Sequence, residues 1–161
     1  MSAVKGVYLL IFALSADLEL EIGKLGRYVF LSGNYVYVGS GMGGVISRVQ
    51  RHLSASKTQR WHIDYLLAAA EAKKAIIYLT EDKSQECQLS ALVQQLPQVE
   101  MPVTGFGSSD CHCKTHLYRL SPASYTQITK LTLPGCVKSP LLAVEDLPAY
   151  CAALADCRGN L

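Results

Sequence analysis

From Val4 to Phe12 the chain is apolar but for Lys5 and the small Gly6, and the rest is Val, Leu, Ile, Tyr and Phe. So short a run, rich in β-branched and aromatic residues, reads as a buried strand rather than a helix. Further strand candidates follow at Leu18 to Ile22 and Tyr28 to Leu31, around a turn at Gly23 to Gly26. Tyr35 to Val38 is another, and it runs into the glycine loop Gly39-Ser40-Gly41-Met42-Gly43-Gly44. Beyond that loop Val45, Val49 and Leu53 recur on one helical face, with Arg48 and His52 four apart on the neighbouring one. After the polar loop Ser54 to Gln59, the pattern predicts a helix over Arg60 to Ala72 and a strand over Ala75 to Thr80. A third helix follows over Ser84 to Leu96, capped by Ser84 or Asp82 and stopped by Pro97. The segment Gly105 to Asp110 reads as a loop and His116 to Leu120 as a last strand. Two short helices, Pro122 to Leu131 and Glu145 to Ala155, complete the pattern. The order implies an α/β or α+β fold, a small central mixed or antiparallel sheet flanked by helices.

A chain of 161 residues, half of them apolar, can build a core without metal or disulfide and belongs to none of the disordered or collagen-like classes. Its net charge of +2 conceals an uneven distribution: Ile22 to Ile63 holds Lys24, Arg27, Arg48, Arg51, Lys57 and Arg60 and no Asp or Glu. A basic, acid-free stretch inside a nearly neutral chain points to an anionic partner, phosphate first. Lys5 and the uncharged residues up to Ser15 resemble a short secretory signal, but they suit a buried strand better. No window is long and apolar enough to span a membrane, so a cytoplasmic protein is expected. In that compartment Cys87, Cys111, Cys113, Cys136, Cys151 and Cys157, irregularly spaced, favour thiols or metal ligands over a disulfide framework.

The glycine loop lacks the lysine of a phosphate-binding P-loop and the spacing of a dinucleotide fingerprint, although glycines also let a phosphodiester backbone approach. Gly39, Ser40 and Gly41, with Arg51, Lys57, Arg60, Trp61 and His62, are therefore candidate nucleic-acid contacts, the indole as a surface on which a base stacks. Asp64 is expected to orient His52 or Arg48. Cys111, Cys113 and His116, with Cys87 as a fourth donor, offer tetrahedral zinc ligands. Cys87 is equally a disulfide partner for Cys111 or Cys113, or all three stay reduced.

Gly6-Val7-Tyr8, Tyr37-Val38-Gly39, Arg48 with His52, and Glu86 opening a helix that stops at Pro97, taken in order, resemble the signature of GIY-YIG nucleases. The strings Tyr35 to Gly41, Arg51-His52-Leu53, Trp61-His62-Ile63-Asp64-Tyr65-Leu66, Glu86-Cys87 and Gly105 to Cys113 are similar to a family of archaeal and bacterial divergent GIY-YIG relatives. The resemblance implies a GIY-YIG-like domain over residues 1–120, with an inserted hairpin at about 17–33. Residues 121–161 would be a helical C-terminal extension packed on it. It further implies a divalent-metal-dependent phosphodiesterase acting on nucleic acid, DNA ahead of RNA. Tyr8 and Tyr37 would sit at the phosphate, one of them deprotonating the attacking water, with Tyr35 on the same strand face as an alternative to Tyr37. Arg48 would bind the phosphate, His52 would assist, and Glu86 would hold Mg²⁺ or Mn²⁺. Two other readings stand beside it: a non-catalytic nucleic-acid-binding module on the same scaffold, and a zinc- or cysteine-stabilised interaction domain.

Overall fold

The computed structural model describes residues 4–54 and 61–159. Its strands are β1 (Gly6–Leu14), β2 (Leu18–Ile22), β3 (Gly26–Phe30), β4 (Gly33–Gly41), β5 (Glu71–Leu79), β6 (Leu117–Leu120) and β7 (Val137–Lys138). Its helices are α1 (Val45–Leu53), α2 (His62–Leu67), α3 (Gln85–Gln94), α4 (Pro122–Gln127) and α5 (Leu147–Gly159). Five strands form one sheet in the order β6-β4-β1-β5-β7, while β2 and β3 pair separately. Every pairing is antiparallel, so the mixed alternative falls away and the fold is α+β.

The apolar run that began the sequence becomes β1, the central strand. Successive side chains of a strand point to opposite faces, and here both faces are covered. Tyr8, Leu10, Phe12 and Leu14 join Val45, Val49 and Leu53 of α1 and Ile63, Leu66 and Leu67 of α2 in one core. Val7, Leu9 and Ile11 join Leu89 and Val93 of α3, with Ile128 and Leu133, in the other. Sequence alternation is lost because neither face meets water.

Three elements differ from the sequence reading. β4 does not end at Val38 but continues through Gly39 and Ser40 to Gly41, paired with β1 all the way to Gly6. α2 stops at Leu67, after its last core-facing leucine. There the amides of Ala69 and Ala70 bond Leu66 and Leu67 carbonyls in a tightened turn, and β5 starts at Glu71. Alanine suits a helix, but these alanines are mostly exposed and no apolar stripe extends the helix further. β7 was not expected at all: Val137 and Lys138 pair with Leu79 and Tyr78 at the sheet edge, and two residues carry no periodicity.

The predicted hairpin is present as β2 and β3. β1 and β4 are antiparallel neighbours from Gly6 opposite Gly41 to Leu14 opposite Gly33, so the extra residues between them leave their register untouched. Tyr8 lies opposite Gly39 and Leu10 opposite Tyr37. That diagonal relation puts the two tyrosines on one face of adjacent strands. At the start of α3 the N-cap position is Ser84, and Asp82 Oδ1 accepts its amide at 2.9 Å and its hydroxyl at 2.7 Å.

Candidate functional site

Where β1 begins and β4 and β5 end, an open cleft of about 390 Å³ is lined by Tyr8, Tyr37, Ser40, Arg48 and Glu86. Trp61, His62, Lys83, Gly107, Ser109 and Asp110 complete its walls. β1 and β4 supply the tyrosines, α1 the arginine, the start of α3 the glutamate, and the loop before β6 the aspartate.

Tyr8 is buried, and its Oη lies 2.7 Å from Nε2 of buried His52. Burial, and then the neighbouring Tyr37, push the Tyr8 phenol well above its ordinary value, while the Arg48 charge acts in the opposite sense. Tyr37, with its ring centroid 6.5 Å from that of Tyr8, is likewise raised by burial and by Glu86, against Arg48. Tyr35 is not in the cleft. It stacks on Phe12 and donates to the Leu31 carbonyl, which leaves Tyr37 as the second cleft tyrosine.

The glycines have steric work. A Cβ on Gly39 would sit 2.4 Å from Tyr8 Oη, and one on Gly41 would sit 2.5 Å from the Val45 backbone. The first leaves room for the phenol and the second lets α1 start against β4. Ser40 turns its carbonyl to Arg48, whose Nη1 donates to it at 2.7 Å. Across the cleft, Gly107 adopts φ +69°, and a Cβ there would meet the Tyr37 ring at 2.7 Å. The loop can pass over Tyr37 only as glycine.

The basic face is partly compensated. Arg51 forms a two-pronged pair with fully buried Asp64, at 2.8 and 2.9 Å. Asp64 Oδ2 also accepts the Trp61 amide, starting α2. Asp64 thus orients a basic residue from the neighbouring helix, and the one it holds is Arg51. Trp61 lies beneath both guanidinium groups, 4.2 Å from Arg51 and 4.8 Å from Arg48, so its ring already holds cations. His62 packs on Phe106 at the cleft wall, and partial burial lowers its pKa. Arg27 pairs with Glu19 and Glu21 on the hairpin. Lys57 and Arg60 lie outside the described residues.

Sequence reasoning missed the Lys83–Asp110 ion pair on the cleft wall, 2.8 Å long and exposed. Lys83 holds the Asp110 carboxyl below its usual range. The only signal was the position of Asp110 just before Cys111.

Behind Glu86 lies the cysteine cluster. The ligand atoms of Cys87, Cys111, Cys113 and His116 all fall within 4.8 Å of one another, so the four could hold a metal ion such as zinc. Cys87, Cys111 and Cys113 are free thiols, which removes the disulfide alternative. Exposed His112 is not one of the four. Burial, and then its neighbours Cys87 and Cys111, push the Cys113 thiol up to about 12. Crowded thiols resist ionising together, and a cation among them reverses that balance. His116 Nε2 stands 3.5 Å from Cys111 Sγ. Tetrahedral zinc with bonds of about 2.3 Å to sulfur and 2.0–2.1 Å to nitrogen requires a separation of about 3.5 Å.

No helix among the described residues is long and apolar enough to cross a membrane. A family model described as "Domain of unknown function DUF123" matches residues 7–134, most of the chain and all of the cleft. No curated protein and no solved structure matches the chain significantly.

Proposed function

The chain belongs to the DUF123 family, a domain of unknown function, and we propose that it is a divalent-metal-dependent phosphodiesterase of GIY-YIG type acting on nucleic acid, with DNA as the first substrate to test. The observation that carries this reading is convergence: Tyr8, Tyr37, Arg48 and Glu86, far apart in sequence, line one open cleft, with His52 bonded to Tyr8 behind it.

The chemistry follows from the phenol's difficulty. A buried tyrosine pushed above its ordinary value is a poor base by itself. With its proton donated to His52 Nε2, Tyr8 need not persist as phenolate. As the water oxygen attacks phosphorus, the water proton passes to Tyr8 Oη and the tyrosyl proton to Nε2. The imidazole nitrogen is the acceptor that completes this relay. The P–O bond to the leaving oxygen breaks with its electron pair, and that oxygen is protonated from solvent. Arg48, held by the Ser40 carbonyl and lying over Trp61, presents its remaining N–H groups to phosphate oxygens as negative charge grows there.

The donors on the cleft wall are hard oxygens, the Glu86 and Asp110 carboxylates with the Ser40 and tyrosine hydroxyls, which fit Mg²⁺ or Mn²⁺. Glu86 would be its principal protein ligand. Such an ion supplies charge neutralisation for a phosphoryl group in transfer. We read the soft Cys87, Cys111, Cys113 and His116 set as a zinc site, distinct from it in chemistry.

The test is cleavage of branched, single-stranded and duplex DNA, and of the RNA equivalents, with Mg²⁺, Mn²⁺ or chelator. Wild type is compared with Tyr8→Phe, Arg48→Ala and Glu86→Gln. Equal cleavage by all four proteins would assign the activity to a contaminant. A non-catalytic phosphate-binding module is favoured by the deep burial of Tyr8. It predicts salt-sensitive binding that chelator does not alter, with no turnover.

A further inference from the structure

Glu86 has two neighbourhoods. Its carboxylate lines the cleft with Tyr8, Tyr37 and Arg48, and its Oε1 lies 3.6 Å from His116 Nδ1. The same imidazole turns Nε2 to Cys111 Sγ at 3.5 Å, inside the four-donor cluster. His116 is fully buried, and among the described residues its Nδ1 makes no hydrogen bond. We propose that zinc bound by Cys87, Cys111, Cys113 and His116 positions Glu86 in the cleft through the His116 ring, so that occupancy of the cysteine cluster sets how well the cleft holds its own divalent ion.

Three physical steps carry this. Thiolate and imidazole donors select zinc over the hard cations that suit the cleft, and its binding releases the three thiol protons. Ligation through Nε2 leaves the remaining ring proton on Nδ1, the nitrogen that faces a carboxylate, which is the usual second partner of a zinc-bound histidine. Closing the gap from 3.6 Å to a charge-assisted hydrogen bond fixes Oε1 and leaves the other oxygen for the cleft. Cys87, the next residue, is itself a zinc ligand, so two consecutive residues of the first turn of α3 are tied to the same ion. Free energies of coupling are reciprocal: if zinc organises Glu86, then Glu86 strengthens the zinc site.

The consequence for cleavage rests on the phosphodiesterase reading, but the coupling does not, and the experiment separates them. Protein purified under reducing conditions is assayed for zinc by mass spectrometry. Zinc affinity is then measured by chelator competition for wild type, Glu86→Gln and Tyr8→Phe, with Co²⁺ spectra to verify the ligand set. We expect one zinc per chain, a 10- to 100-fold loss of zinc affinity in Glu86→Gln, and none in Tyr8→Phe. In wild type, stripping zinc should weaken Mn²⁺ binding, read by electron paramagnetic resonance, at least about fivefold. Reduced protein without zinc, or Glu86→Gln protein that holds zinc as tightly as wild type, overturns the proposal. Coupling without cleavage would sink the phosphodiesterase reading alone. Cleavage without coupling would sink this one alone.

Discussion

Tyr8 and His52 meet inside the core, phenol oxygen to Nε2 at 2.7 Å, so one hydrogen bond ties the central strand to the helix that carries Arg48. Tyr8→Phe should lower cleavage at least 100-fold while costing about 1–3 kcal/mol of stability, the penalty of leaving a buried imidazole nitrogen unpaired. Single-turnover cleavage and urea denaturation on the same samples measure the two effects. If stability falls and cleavage does not, Tyr8 is only structural.

Gly39→Ala brings a methyl group to 2.4 Å from Tyr8 Oη. Because the obstacle is a wedged ring, we expect about 1–3 kcal/mol of overpacking cost and displacement of Tyr8 from His52. Thermal denaturation reads the first. The second would appear as loss of cleavage equal to that of Tyr8→Phe, and a Gly39→Ala protein as active as wild type would refute it.

Arg51, about a quarter exposed, and fully buried Asp64 form an ion pair on this face. Removing the carboxylate in Asp64→Ala should destabilise the fold by about 1–3 kcal/mol, since the guanidinium loses one of its contacts and the Trp61 amide its acceptor. Arg51→Met with Asp64→Leu should recover much of that loss. A denaturant midpoint unchanged in Asp64→Ala would show the pair to be inert.

Among the described residues Arg48, unlike Arg51, makes no carboxylate contact; its guanidinium donates to a carbonyl and lies over Trp61. Arg48→Ala should reduce cleavage about 100- to 1,000-fold, the usual scale for one transition-state donor, with a smaller loss of stability than Asp64→Ala. Arg48→Lys should restore part of it, since the charge returns without the planar fork. Cleavage rates alongside thermal midpoints for the three variants decide this.

Partial burial holds the His62 pKa below its ordinary value, so the unfolded chain binds more protons there than the folded one. Stability contributed by His62 is therefore present above the unfolded value of about 6.5. It falls as pH drops through that value, until the folded imidazole is itself protonated. Thermal midpoints between pH 7.5 and 5 should decline, and His62→Gln should flatten part of the slope. A steeper decline in the variant would reverse the assignment.

The fold was readable wherever one local pattern decided it. The apolar run gave β1, the spacing of Val45, Val49 and Leu53 gave α1, and the paired short strands gave the hairpin. The glycines misled because glycine marks both a loop and a close approach. At Gly39 and Gly41 it serves packing, and β4 runs on through them. β7 depends on an edge of β5 that only the assembled sheet provides. Within the cleft, Tyr8 and Tyr37 were legible from the family resemblance, whereas the two-residue period puts Tyr35 and Tyr37 on one strand face and could not choose between them; the β1–β4 register does. The Arg51–Asp64 and Lys83–Asp110 partnerships join separate elements, and no spacing along the chain encodes them.

The hairpin between β1 and β4 leaves the sheet at the end opposite the cleft, about 20 Å beyond Tyr8 along β1. Yet it doubles back along the sheet. Ile22 and Phe30 are buried in the same core as Tyr8, and the space beside Gly23 at its tip ends on the His62 ring. The turn at Gly23 thus abuts the rim of the cleft at His62. A change in the length of that turn would reshape the cleft rim beside His62 while leaving Tyr8, Tyr37, Arg48 and Glu86 in place.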